Sequence, residues 1–358
     1  MSEIAIKKFI KRDYFKFPMI TENEINEIKS FIENSTNPVF LFDDDPDGVC
    51  AYLLLKKFYK KGKGIPIKGS PMITVKFLEI VEKNDPDLII ILDKPIVEQE
   101  FIDKSPCKIV WMDHHPLVKR NNVSYYNPRM HDEEDNRPTT YLAYSITKSN
   151  PWIAIIGCIF DFYVPDFSKE LLKQYPDLIS EVNGPDDIRF NTNFGKIIKI
   201  FAFNLKGESK YVKKSLSMLE EVESPYEILN QSSESGKYLY QRYEKLNKSY
   251  ERLLEKAIKE INEDELFVFL YPSEKTSFTS ELANEILYKN KNKIILICRE
   301  KFDKIIMSIR SDKKKIIKAV ERALVGINGY GGGHDYACGG CVDRTDFERF
   351  IENLKREL

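Results

Sequence analysis

Four aspartates each follow an apolar run: Asp43 after PVFLF, Asp93 after LIIIL, Asp113 after KIVWM and Asp161 after WIAIIGCIF. If those runs are parallel strands, their carboxyl ends open on one crevice and the carboxylates converge there although they lie far apart in the chain. Crowded carboxylates repel one another unless cations neutralise them. Two divalent cations about 3.5–4 Å apart would do so, and would clamp both the attacking and the leaving oxygens of a phosphoryl displacement. The first aspartate opens FDDDPDGVCA, where Asp43, Asp45 and Asp47 alternate. An extended backbone turns alternate side chains to a common side, and Gly48 then permits the turn into a helix. EF-hand calcium loops share this D-x-D-x-D-G spacing, but their twelfth position is a carboxylate where this chain has Leu54, and a strand precedes the motif here. A plain acidic loop is the other alternative, and it leaves the remaining strand ends unexplained.

The chain has 4 histidines, two of them adjacent in Asp113-His114-His115-Pro116 directly after the third apolar run. Imidazole beside carboxylates suits manganese or another transition ion better than calcium, so one histidine is expected to ligate and the other to contact phosphate or assist proton transfer. His131, in RMHDEED, reads as solvated. His334 lies in GYGGGHDYACGG, where Gly331, Gly332 and Gly333 would let backbone amides approach an anion closely; an ordinary turn is the competing reading. Arg310 ends KIIMSIR and could make a bidentate phosphate contact or a surface ion pair. Cys338-Gly-Gly-Cys341 has half of a zinc-knuckle spacing, but no second pair accompanies it.

Positioning these residues needs repeated strand and helix units. Residues 23–35 have helical spacing, and the four apolar runs at 38–42, 88–92, 108–112 and 152–160 read as buried strands of a parallel sheet. GVCAYLLLKKFYKK and PTTYLAYSITK read as helices, the second with a Pro-Thr-Thr start. A first domain is expected over 1–190, a charged helical connector over 191–262 and a smaller α/β domain over 263–358. In that last domain the pattern runs strand, helix, strand, strand, helix, glycine-rich loop and final helix. The 358 residues suit two domains, and 42% hydrophobic with 31% charged residues suits a globular chain. The amino-terminal segment lacks a secretory pattern, no stretch reads as membrane-spanning, and 6 scattered cysteines need no disulfides, so a cytoplasmic protein with reduced thiols is expected. A formal charge of -1 leaves nucleic-acid binding to local patches and bound cations. KKFYKKGKG at 56–64 interleaves basic and aromatic residues as a backbone track would, or as a solvated helix end would.

Taken together, D-x-D-x-D-G, Asp93, Asp113-His114-His115, Asp161 and the distal GGGH resemble the DHH phosphoesterase superfamily, within it the archaeal RecJ-like exonucleases. The resemblance covers both domains. It implies an α/β fold with a parallel-sheet N-terminal DHH domain, the helical connector and a smaller DHH-associated α/β domain that binds substrate. By that resemblance Asp43, Asp47 and Asp93 hold one metal and Asp45, Asp93, His114 and Asp161 the other, Asp93 bridging, with Mn2+ preferred over Mg2+. Asp45, Asp47, His114 and His115 are then the catalytic set, and His115, Arg310, Gly331, Gly332, Gly333 and His334 grip phosphate. The implied activity is single-strand-specific exonuclease action on DNA or RNA, from the 3′ end to mononucleotides, in repair or replication, with a replication or repair helicase as the expected protein partner. The superfamily branch acting on very short RNA usually opens its first motif with histidine, where this chain has Asp43. Two rivals remain: a phosphodiesterase or phosphatase of oligoribonucleotides, dinucleotides or nucleotide bisphosphates, and a non-catalytic helicase-associated factor, which the filled ligand positions oppose.

Overall fold

A computed structural model describes residues 19–169, 174–179, 184–272 and 276–358. They form two compact units, one running up to Leu205 and including Lys213–Tyr240, the other comprising Lys206–Val212 and Gln241–Leu358.

The first unit opens with α1 (Glu22–Asn34), started by a capping box in which Thr21 and Glu24 satisfy each other's backbone amides. Then come β1 (Pro38–Asp43), α2 (Pro46–Tyr59), β2 (Lys63–Ile67), β3 (Met72–Ile73), α3 (Leu78–Glu82), β4 (Leu88–Leu92), β5 (Ile96–Val97), α4 (Gln99–Lys104), β6 (Lys108–Met112) and β7 (Ser124–Tyr126). The main sheet has the order β2-β1-β4-β6-β7 with every pair parallel. Continuous apolar runs form these strands because both faces are covered. Val39, Leu41, Ile89, Ile91, Ile109 and Trp111 pack with Ile73, Val81 and Phe101 on one side. Phe42 stacks on Tyr52 of α2 on the other, ring centroids 4.6 Å apart. Register then aligns the strand ends: Phe42 pairs with Leu92 and Leu92 with Met112. The residues that follow, Asp43, Asp93 and Asp113, therefore leave the sheet side by side.

Two further helices, α5 (Thr139–Thr147) and α6 (Pro151–Phe160), pack against α2. The run WIAIIGCIF, expected to be a fourth strand, is α6. It is apolar all round because it is buried from Trp152 to Ile159, and a helix enclosed on every side loses the periodicity that distinguishes it from a buried strand. Pro151 at its first turn was the available start signal. Asp161 consequently caps a helix rather than ending a strand.

Helices α7 (Pro185–Asn191), α8 (Asn193–Asn204), α9 (Ser209–Glu221), α10 (Pro225–Leu229) and α11 (Glu234–Glu260) carry the chain to the second unit. There the elements are β8 (Leu266–Tyr271), α12 (Thr279–Lys289), β9 (Ile294–Lys301), β10 (Lys304–Ser311), α13 (Ile317–Ala323), β11 (Gly329–His334), β12 (Ala337–Asp343) and α14 (Phe347–Glu357). They build a mixed sheet, β11-β12-β10-β9-β8, parallel only between β8 and β9. The glycine-rich run expected as a loop is the edge strand β11, its backbone ordered by antiparallel pairing with β12. Cys338 and Cys341 both lie on β12 as free thiols. Among the described residues no helix is long and apolar enough to cross a membrane.

Candidate metal centre

The site of the first unit is assembled at the aligned strand ends and the starts of two helices. Asp45 caps α2, accepting from the Gly48 amide at 3.0 Å. Glycine is needed at 48 for close approach, since a Cβ there would stand 2.7 Å from the Asp43 carbonyl oxygen. Asp47, in the first turn of α2, is fully buried and is held by the first amides of α5: Thr139 N donates to its Oδ2 at 2.9 Å and Thr140 N to its Oδ1 at 2.8 Å. Unpaired helix-start amides and the helix dipole suit a buried carboxylate. Asp93 sits in the left-handed region at φ 57, a conformation that costs energy for a residue with a Cβ, and its Oδ1 accepts from the Thr139 hydroxyl at 3.2 Å. His114 Nε2 lies 3.3 Å from Asp161 Oδ2, 3.5 Å from Asp93 Oδ1 and 3.9 Å from Asp47 Oδ2. Its Nδ1 faces the Asn136 carbonyl at 3.3 Å, which orients the ring.

His115 points its Nδ1 at Asp113, 2.8 Å from Oδ1, while Asn127 donates to the His115 carbonyl and to the Tyr125 hydroxyl. Asp113, at the third strand end, is thus spent on holding His115.

The electrostatics are those of a cluster short of positive charge. Desolvation, joined by the charges of Asp43, Asp161 and Asp47, pushes Asp45 well above the usual carboxylate range. Desolvation and Asp161 bring Asp47 up to about 6 despite its hydrogen bonds, and desolvation with Asp47 and Asp45 raises Asp93 strongly. Desolvation would lower His115, but the hydrogen bond and charge of Asp113 outweigh it and raise the imidazole to about 9.

Three sets of donor atoms lie within 4.8 Å of one another: Asp43, Asp45 and Asp93; Asp47, His114 and Asp161; Asp93, His114 and His115. Carboxylate oxygens, alone or with one or two imidazole nitrogens, buried or half-buried and mutually repelling, are a fitting donor set for divalent transition ions or magnesium. The close sets join Asp45 to Asp43 and Asp47 to His114, whereas the resemblance divides Asp45 and Asp47 the other way. Three contributors had gone unnoticed in the sequence: Lys94, fully buried with its Nζ 2.9 Å from Asp43 Oδ1, and Thr139 and Thr140, visible there only as a helix start. His131, read as solvated, pairs with Glu24 at 2.9 Å.

In the second unit, Arg310 on β10 pairs with Ala337 on β12, which pairs with His334 on β11, so the arginine and the histidine occupy one row across three strands. Arg310 Nε donates to Asn284 Oδ1 at 2.7 Å and its Nη1 to the Cys338 carbonyl at 3.1 Å, which fixes the guanidinium. Gly333, at φ 145, adopts a backbone open to glycine, and His334 beside it is exposed.

Residues 266–358 match the DHHA1 domain. No curated protein matches the chain by sequence. Similar solved structures include RecJ from Thermus thermophilus in complex with Mn2+, at 14% identity and TM-score 0.68, covering 95% of this chain and 55% of that one. The same protein with Mg2+ gives TM-score 0.61 at 14% identity, covering 98% of this chain and 55% of that one. Exonuclease RecJ bound to manganese matches at 14% identity and TM-score 0.63 over 95% of both chains. The chain spans about half the length of the Thermus protein, and at such identity the likeness is one of fold.

Proposed function

We infer that this chain, which has the RecJ-like fold of the DHH phosphoesterase superfamily and carries a DHHA1 domain, is a divalent-cation-dependent exonuclease that shortens single-stranded DNA or RNA from the 3′ end. The observation that carries the reading is the convergence of Asp43, Asp45, Asp47, Asp93, His114 and Asp161 from separate elements into close donor sets, His114 lying within 4 Å of Asp47, Asp93 and Asp161. Asp43, Asp45 and Asp93 would hold one ion and Asp47, His114 and Asp161 the other, Mn2+ or Mg2+. When bound, such ions neutralise the charge developing on the phosphoryl group and make water acidic enough to serve as the nucleophile near neutral pH.

The chain's own groups do the rest. The amides of Thr139 and Thr140 and the Asn136 carbonyl fix Asp47 and His114 in orientation. His115, raised to about 9 by Asp113 in the metal-free site, would donate to a phosphoryl oxygen and return a proton to the leaving 3′ oxygen. Arg310, Gly331, Gly332, Gly333 and His334 of the DHHA1 domain would add phosphate contacts, a planar guanidinium and backbone amides both suiting an anion. Asp43 at the head of the first motif, and the fold shared with an exonuclease over 95% of both chains, favour a polynucleotide over a short-RNA substrate.

End-labelled single-stranded DNA and RNA oligonucleotides, incubated with manganese or with a chelator beside a dinucleotide, test the reading. Progressive shortening from the 3′ end with manganese alone is expected. Cleavage of the dinucleotide alone would replace the substrate class, and inertness towards all three would remove the enzymatic reading.

A further inference from the structure

The carboxylates are not served evenly by positive charge. The ion pairs of Asp47, Asp93 and Asp161 are with histidine, whereas Asp43 has a lysine. Lys94 has no exposed surface, donates to Asp43 Oδ1 at 2.9 Å and to the Ser70 carbonyl, and follows directly on Asp93. It is fixed from the other end as well. Its carbonyl accepts from Trp111 Nε1 at 2.9 Å, and that buried indole stacks on Tyr125 with ring centroids 4.0 Å apart. A lysine is almost never buried without a partner, because desolvating the ammonium costs more than most contacts return. This one is therefore tied to Asp43 for as long as the strand end is folded.

We propose that Lys94 is a built-in cation at the Asp43 end of the site, so that the two ion positions are unequal: Asp47, His114 and Asp161 bind one divalent ion tightly, while Asp43, Asp45 and Asp93 bind the second weakly. This rests on the divalent-ion reading above. Asp43 Oδ1 already accepts from Lys94 and from the Asp44 amide at 2.9 Å, which leaves Oδ2 for an ion. An ion held there lies a few ångströms from a fixed ammonium, and repulsion between a single and a double positive charge at that range weakens binding by at least roughly tenfold. The other position has an imidazole donor beside two carboxylates, and the ion pairs of those carboxylates are with His114 and not with a lysine or arginine, while His115 acts on Asp161 and Asp43 alike. The centre thus keeps enough positive charge to hold its fold with one ion, and the weaker position fills as divalent concentration rises.

Manganese titration of the full-length protein by calorimetry, with electron paramagnetic resonance to detect coupled ion pairs, decides it. Wild type is expected to take one tight ion and a second at least about tenfold weaker, with the coupled signal appearing only at high manganese. Lys94→Met, which keeps the length and removes the charge, should tighten the second ion about tenfold, and Lys94→Arg should leave the asymmetry in place. Two equally tight, coupled ions in the wild type would overturn the proposal even if Lys94→Met fails to fold. A wild type that binds no manganese would instead overturn the underlying metal reading, and loss of manganese dependence in the oligonucleotide assay would accompany it.

Discussion

In the first unit the groups that could do chemistry are enclosed: Asp47 and Asp93 are buried, their carboxyls are pushed upward, and each is held by hydrogen bonds from a helix start. In the second unit the groups that could hold an anion are on the surface: His334 is exposed on an edge strand, and its row partner Arg310 is held by neutral acceptors. The buried cluster stores electrostatic strain that only cations relieve, so it is matched to charge developing during a reaction. The exposed row stores none, so it is matched to holding a phosphate that is already charged. One region should therefore govern turnover and the other affinity.

His114→Ala strikes the first region hardest. It removes the nitrogen shared by three carboxylates, and manganese-dependent turnover of a single-stranded oligonucleotide should fall by about a thousandfold or to background, with little change in KM. Gly157→Ala reaches the same centre indirectly: a Cβ there would stand 2.2 Å from the Thr140 hydroxyl, displacing the residue whose amide grips Asp47. A drop in kcat of about 10–100-fold is expected, as for loss of a group orienting a metal ligand. Overpacking should also lower stability by about 1–3 kcal/mol in a denaturant melt.

Arg310→Ala or His334→Ala should act on the other parameter, raising KM about tenfold at nearly constant kcat. A fall in kcat equal to that of His114→Ala would break the division. Gly332→Ala sharpens it, because nothing lies within 4 Å of a Cβ at that position and its backbone is not left-handed. The melting temperature should not move, while KM rises a few-fold if a phosphate must approach that backbone. An unaltered KM would return the glycine to the role of an ordinary strand residue. Gly333 cannot serve as this probe, since its Cβ would meet the Ala337 carbonyl at 2.3 Å.

The smallest effect is in stability against pH. In metal-free protein Asp45, Asp47 and Asp93 titrate above their unfolded values, so the folded state binds more protons and stability falls as pH rises above about 4, through about 6 for Asp47 and onward as Asp45 and Asp93 ionise. His115, raised to about 9, contributes stability that is whole below its unfolded value and is lost as pH rises through 9. Melting scans without metal should show these losses as a few degrees, and manganese should abolish the carboxylate part. A metal-free protein whose stability climbs steadily from pH 4 to 7 would contradict the crowded-carboxylate account.

The first three strand ends were legible because short, continuous apolar runs closed by an aspartate suit buried strands that open on a polar crevice. WIAIIGCIF carried the same pattern and gave a helix, since full burial erases the difference, yet Asp161 still arrives at the cluster from its cap. The glycine run was legible as a place of close approach but not as a strand, because pairing with β12 is a tertiary event. Lys94 could not be read: a lysine after a strand is ordinarily solvated, and its burial here goes with tertiary contacts to Asp43, Ser70 and Trp111. Thr139 and Thr140 were visible as a helix start, and their hold on Asp47 depends on a contact across 92 positions of sequence.

If the carboxylate cluster of the first unit is a divalent-cation centre that hydrolyses phosphodiesters, hydrolysis must depend on both the ion and Asp47. One end-labelled single-stranded oligonucleotide, followed with wild type and Asp47→Ala side by side across a manganese titration, reads both dependences. The wild type should shorten the oligonucleotide only with manganese, and the variant should leave it intact at any concentration. Equal hydrolysis by both proteins, or hydrolysis that persists in chelator, would contradict this reading.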